Sequence, residues 1–168
     1  MMTFRKLTIE DKQAFLNYWD DWKHTDKIVP FSTRFNRYLN FEEMLSDWQY
    51  QESNEDWMKN STYFYIEDNV IIGAANIRHE LTEDFLKRGG HIGYGVAPSF
   101  RRKGYATKIL LESLKICQKL GIQRVLVTCD EDNIGSAKVI QNAGGLEGTS
   151  YQEANGKCIR RFWIDIKS

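Results

Sequence analysis

The sequence predicts a mixed α/β (α+β) fold in which a mostly antiparallel sheet is flanked by helices. Three observations carry that prediction. A strand-like run, Ile92 to Val96, stops at Pro98 and passes through a basic, glycine-containing turn into a long amphipathic helix. A second strand and helix repeat that order, from Arg124 to Cys129 and from Ile134 to Ile140. Hairpin signals stand on either side, at Glu67-Asp68-Asn69 and at Ala154-Asn155-Gly156.

In chain order, Thr3 to Leu7 is a short strand, and Thr8 with Asp11 makes a capping pattern before a helix whose Phe15, Trp19 and Trp22 share a face. Residues 23–39 contain Pro30 and the basic Lys27, Arg34 and Arg37, which predicts a loop with at most one helical turn. Asn40 and Glu43 repeat the capping logic ahead of Phe41, Met44, Leu45 and Trp48, a second helix that fades near Glu52. The aromatic residues Trp19, Trp22, Trp48, Tyr50 and Trp57 are read as core, since apolar side chains at helical spacing are more often buried than site-lining. Thr62 to Ile66 and Val70 to Ile77, rich in β-branched and aromatic residues, read as a hairpin. A helical turn around Leu81 to Leu86 leads through Gly89-Gly90 to the strand His91 to Val96. The long helix then sets Ala106, Ile109, Leu110, Leu114, Cys117 and Leu120 on one face and stops at Gly121. Arg124 to Cys129 is almost continuously apolar, as a strand buried on both faces should be. Asp130-Glu131-Asp132-Asn133 starts the next helix, Gly144-Gly145 ends it, and Leu146 to Glu153 pairs with Lys157 to Ile166.

Composition narrows the function classes. A chain of 168 residues suits one domain, 1–168, able to bury its own core. Its 23 Lys and Arg balance 23 Asp and Glu, so no basic field draws it to nucleic acid or an anionic membrane. Cys117, Cys129 and Cys158 are odd in number and lack metal-ligand spacing, which argues against a disulfide framework or a structural metal site and for a reducing cytoplasm. With no apolar leader or membrane-length run, the expectation is a cytoplasmic protein acting on a small molecule.

The turn from Phe100 to Thr107 has the parts of a phosphate cradle. Backbone N–H groups at a helix start lack intrahelical partners and favour an anion. Arg101, Arg102 and Lys103 add positive charge, and Gly104 removes a Cβ that would block close approach. Val96-Ala97-Pro98, a gap of Ser99-Phe100, then Arg101-Arg102-Lys103-Gly104-Tyr105-Ala106 resembles the GNAT superfamily of acyl-CoA-dependent N-acetyltransferases. That family's signature is Val-x-Pro, two residues, then Arg/Gln-x-x-Gly-x-Gly/Ala. The likeness extends over nearly the whole chain, is sharpest from Gly89 to Gly145 and is loosest before Ser61.

The resemblance implies a GNAT-type sheet whose central parallel strand pair is splayed at the cofactor site. It implies acetyl-CoA as cofactor and direct transfer of its acetyl group to an amine, on a small molecule or a peptide. The expected coenzyme A ligands are Val96, Arg101, Arg102, Lys103, Gly104, Tyr105, Ala106 and Thr107, with Asn133 and Ser136 facing the pantetheine arm. Helix capping is the other reading of Asn133 and Ser136. For proton transfer the candidates are His91, which titrates near neutrality, and Tyr94; His79, Glu80 and Asp130 border the same strands. Many relatives carry a tyrosine acid where this chain has Ile140, so that role must fall elsewhere. A nucleophilic Cys129 lacks a histidine pattern to activate it. Arg34 and Arg37 stand as candidates for reading an anion on the acceptor, against the commoner role of solvated surface. A non-catalytic acyl-CoA-binding module and a homodimer remain open. A dinucleotide oxidoreductase is disfavoured because Gly89, Gly90, Gly93 and Gly95 precede or lie within a strand instead of opening a helix.

Overall fold

Turn chemistry sets the first sheet. Asp68 and Asn69 hold φ of 49° and 67°, the left-handed pair that a two-residue hairpin requires. They join β2 (Asn60–Glu67) to β3 (Val70–Arg78); β1 (Met2–Arg5) pairs with β2 and β4 (Ile92–Val96) with β3, all antiparallel. The computed structural model describes residues 1–25 and 27–166. Residue 26, inside the expected loop, and residues 167 and 168, at the end of the expected domain, lie outside them.

The second sheet is centred on β8 (Cys158–Asp165), which pairs antiparallel with β5 (Arg124–Asp130), β6 (Leu146–Glu147) and β7 (Tyr151–Gln152). Gly156 takes φ of 89° and Asn155 Oδ1 accepts from Lys157 N at 2.9 Å, so the Asn-Gly turn forms as expected. Its outgoing arm is one continuous strand. The incoming arm is interrupted between β6 and β7, where a Cβ at Gly148 would meet the Trp163 ring at 3.3 Å.

Among the described residues five α-helices flank these sheets: α1 (Lys12–Trp22), α2 (Phe41–Ser53), the short α3 (Glu83–Lys87), α4 (Tyr105–Lys119) and α5 (Ile134–Asn142). Alternation along β2 divides the core in two. Phe64 and Ile66 face α1 and α2 with Phe15, Trp22, Phe41 and Met44, while Tyr65 faces a second core built from Ile109, Leu110, Ile140 and Phe162. Of the aromatic residues expected in the core, Trp22 and Trp48 are buried, but Tyr50 and Trp57 are 60% and 64% exposed. Tyr50 lies inside α2 but two residues on from buried Trp48, off the face that Phe41, Met44 and Trp48 bury, and Trp57 lies beyond the helix end. Residues 27–39 form two one-turn 3-10 helices, Phe31–Thr33 and Phe35–Arg37, instead of the single turn expected. Trp48 Nε1 and the Thr62 hydroxyl hold this loop by donating to Ser32 O and Ser32 Oγ, both at 3.1 Å.

The two sheets meet at β4 and β5, and the expected parallel pairing there shrinks to a single rung. His91 N donates to Leu126 O at 2.8 Å. In place of a second backbone carbonyl, His91 Nδ1 accepts from Leu126 N at 2.9 Å. Beyond this point the strands part. On β4 the residues bonded to β3 alternate as His91, Gly93, Gly95 and Ala97, so the N–H and C=O of Tyr94 and Val96 turn toward β5. On β5 the partners of β8 alternate as Val125, Val127 and Cys129, so Thr128 and Asp130 turn toward β4. The result is a V-shaped gap edged by main-chain groups.

His91 is therefore the pin at the apex. It is buried at 6% exposure, and burial, reinforced by the nearby Arg78 cation, depresses its pKa to about 4. The bond from Leu126 N fixes the neutral tautomer with its proton on Nε2. A histidine with a depressed folded pKa adds stability that is complete above its unfolded value near 6.5 and disappears as pH falls toward 4. Thermal melts should thus show a loss of about 3 kcal/mol over that window, and His91→Asn, whose Oδ1 can accept the same N–H, should remove most of the loss. An unchanged pH profile in His91→Asn would contradict this role.

Candidate functional site

The turn between β4 and α4 is anchored from below and left open above. Ser99 N and Oγ donate to the Asp21 carboxylate at 3.0 and 2.9 Å, tying the turn to α1. Arg101 lies over the Trp22 ring at 5.2 Å and its Nε donates to Val96 O at 3.4 Å. Gly104 caps α4 with φ of 83°, and a Cβ built there would meet nothing within 4 Å. Helices α2, α3 and α5 are capped by the side chains of Asn40, Thr82 and Asn133, whereas α4 has no side-chain cap and no acidic residue in its first turn. Its leading amides are left for an anion. Among the described residues Arg101, Arg102 and Lys103 form no ion pair, so their charge is uncompensated.

A cavity of about 510 Å³ opens over this turn and extends from the end of β4 to the first turns of α5. Every cofactor residue expected from the sequence lines it except Lys103, whose ammonium instead lies 5.8 Å over the Phe100 ring. Sequence reasoning missed Trp22 and Val29, which also line it. Trp22 reads as core because its helical spacing is that of a core residue, and its ring is both buried and at the cavity wall. Val29 arrives by close approach: a Cβ on Gly95 would stand 2.4 Å from Val29 O, so only glycine lets the loop seat against β4. Its nearest signal was the glycine itself.

A second cavity of about 270 Å³ adjoins the first and shares Val29, Tyr94, Asn133 and Ser136 with it. Tyr94, one of the expected proton-transfer residues, thus stands on the common wall. Its hydroxyl is buried without a hydrogen-bond partner. Burial pushes the phenol up to about 12; Ser136 lies near enough to oppose that shift, though outside hydrogen-bond geometry. His91 lines neither cavity, nor do His79 and Glu80; His79 Nε2 pairs with Ser61 Oγ at 2.8 Å. Ile140 is completely buried in the core. Asn133 does cap α5, its Oδ1 accepting from Ser136 N at 3.1 Å, and it also lines both cavities.

The smaller cavity carries charge of both signs. Asp130 is its one carboxylate among the described residues, and Lys157 holds it at 3.0 Å. Arg88 is paired with Glu153 at 2.8 Å, and Arg78, whose pKa burial depresses to about 10, still carries its charge at neutral pH. Cys129 also lines this space, but burial raises its thiol pKa, which leaves it protonated and unreactive.

A family model described as an acetyltransferase (GNAT) domain matches residues 2–145. No curated protein sequence matches significantly. Among solved structures, the chain is similar to an N-acetyltransferase from Staphylococcus aureus Mu50, with a TM-score of 0.65, 16% identity and 99% of each chain covered. It is similar to a GNAT-family acetyltransferase from Streptococcus pneumoniae, with a TM-score of 0.67 at 16% identity, covering 99% of this chain and 100% of that one. A protein from Salmonella typhimurium, assigned as an acetyltransferase and solved with its cofactor acetyl-CoA, gives a TM-score of 0.64 at 15% identity, covering 99% of this chain and 95% of that one. At these identities the likeness is one of fold.

Proposed function

This chain belongs to the GNAT family of acetyltransferases, which use acetyl-CoA, and we propose that it acts as one unit whose larger cavity holds the cofactor and whose smaller one holds an amine acceptor. The observation that carries the proposal is the uncapped, acid-free start of α4 at Gly104, opening into a cavity that meets a second one at Tyr94. Acetyl-CoA supplies an acetyl group already activated as a thioester. What remains for the protein is to bind, align and move protons.

The amides of residues 105–107 and the guanidinium groups of Arg101 and Arg102 suit a pyrophosphate. Asn133 Nδ2 and the Ser136 hydroxyl offer polar contacts along the gap. The N–H of Val96 points into the gap and is placed to polarise a carbonyl there. Tyr94 is the proton donor in this reading: a phenol whose pKa is pushed up to about 12 by burial remains protonated at neutral pH and serves as an acid, not a base. It thereby fills the role that Ile140 cannot. Asp130 is the carboxylate the acceptor cavity offers for drawing in an ammonium and taking its proton, directly or through water. His91 keeps the strands pinned and does not exchange protons with the acceptor.

The test is thiol release from acetyl-CoA across a panel of amines, with mass spectrometry of the acceptor. We expect release matched one to one by acetylated amine. Coenzyme A binding without release across a broad panel would favour the non-catalytic module.

A further inference from the structure

Arg78 stands between the acceptor cavity and a neighbouring cavity of about 410 Å³, lining both. Buried charges are as a rule paired; of the other charged groups lining the acceptor cavity, Asp130 is paired with Lys157 and the exposed Arg88 with Glu153, while Lys27, also exposed, forms no ion pair among the described residues. Arg78 is largely buried, yet among the described residues no carboxylate lies within ion-pair distance of it. It is nonetheless held in place. Nη1 donates to Gly89 O at 3.1 Å and to Gly90 O at 3.5 Å, and the guanidinium stacks on Phe85 at 4.7 Å. Room for it is made by Gly93, where a Cβ would come within 3.2 Å of Nη1 and 3.3 Å of Nη2. Support of the Gly89-Gly90 turn uses one nitrogen; Nε and Nη2 make no hydrogen bond among the described residues.

Resting on the acetyltransferase reading, we propose that the acceptor is an amine carrying a carboxylate, an amino acid or short peptide with a free C-terminus, and that Arg78 binds that carboxylate. A planar, rigidly seated guanidinium with two unused donors is the group best matched to a carboxylate's paired oxygens. Lys27, which lines the same cavity and forms no ion pair among the described residues, adds a second positive charge. Asp130 on the other strand provides the complementary sign for the amine, so the cavity suits a zwitterion. A polyamine such as spermidine would bring cations to an uncompensated cation.

The experiment compares amino acids and dipeptides, each as free acid and as C-terminal amide, in acetyl transfer by the wild-type protein, Arg78→Lys and Arg78→Gln. We expect the best free acid to exceed its amide about 100-fold in kcat/KM, mostly through KM. That preference should fall to within about 3-fold in Arg78→Gln, and by about 10-fold in Arg78→Lys, which keeps the charge but loses the fork. Coenzyme A affinity and melting temperature serve as folding controls, and Arg78→Lys carries the test if Arg78→Gln is unstable. In parallel, N-acetyl amino acids and their amides are titrated into the coenzyme A-loaded protein by calorimetry, which needs no turnover. Acid-selective binding lost in the Arg78 variants supports the assignment even if no amine is acetylated, an outcome that would count against the acetyltransferase reading alone. Equal use and equal binding of acids and amides, a preference for spermidine, or an unaltered preference in both variants would overturn it.

Discussion

Gly104→Val is expected to weaken coenzyme A binding at least about 100-fold, equivalent to about 3 kcal/mol, while the protein stays folded. Two effects combine. With φ at 83°, the position excludes a β-branched residue at a cost of about 1–2 kcal/mol, and the added side chain enters space that no protein atom occupies within 4 Å. The strain can be separated from the obstruction by a second glycine at the other end of the same helix. Gly121 has φ of 81° and is equally open, but lies at the C-terminal end of α4, away from the cavity. Gly121→Val should therefore lower the melting temperature by a similar amount and leave coenzyme A affinity as in the wild type, as calorimetry on both variants would show. Equal losses of affinity in the two would mean that the turn at Gly104 is not a binding element.

Tyr94→Phe should lower kcat by about 10- to 100-fold with coenzyme A affinity unchanged, the scale of one lost proton-transfer group. Its second signature is stability. A buried hydroxyl without a partner costs folding free energy, so deleting it should leave the melting temperature unchanged or raise it. Loss of activity with no loss of stability separates a catalytic phenol from a structural one. Wild-type activity in Tyr94→Phe would return the donor role to solvent.

What the sequence revealed was local. The hairpin at Asp68-Asn69, the Thr8/Asp11 capping box, the Asn40 cap and the glycine opening α4 each depend on a few consecutive residues, and each forms as its chemistry requires. The candidate anion-binding turn could be picked out for the same reason, since uncapped amides, cations and glycine follow one another in the chain. Contacts between distant segments were not. His91 looks like a titrating base until Leu126, 35 residues away, is seen to donate to its ring. Arg78 sits in an apolar strand with nothing nearby in sequence to show that its guanidinium is buried without a carboxylate. Val29 reaches the site only because Gly95 lacks a Cβ, and an apolar residue beside a proline in a loop gives no sign of that approach. Trp22 serves the core and the cavity at once, a dual role that helical periodicity cannot express.

The most direct measurement of the central claim is a calorimetric titration of the folded wild-type protein with coenzyme A and, separately, with pantetheine, which lacks the pyrophosphate. The account predicts saturable binding of coenzyme A at one site, with pantetheine weaker by at least about 100-fold, because the open end of α4 and its arginines hold the phosphates. Absence of heat with coenzyme A, or equal affinity for the two compounds, would contradict it.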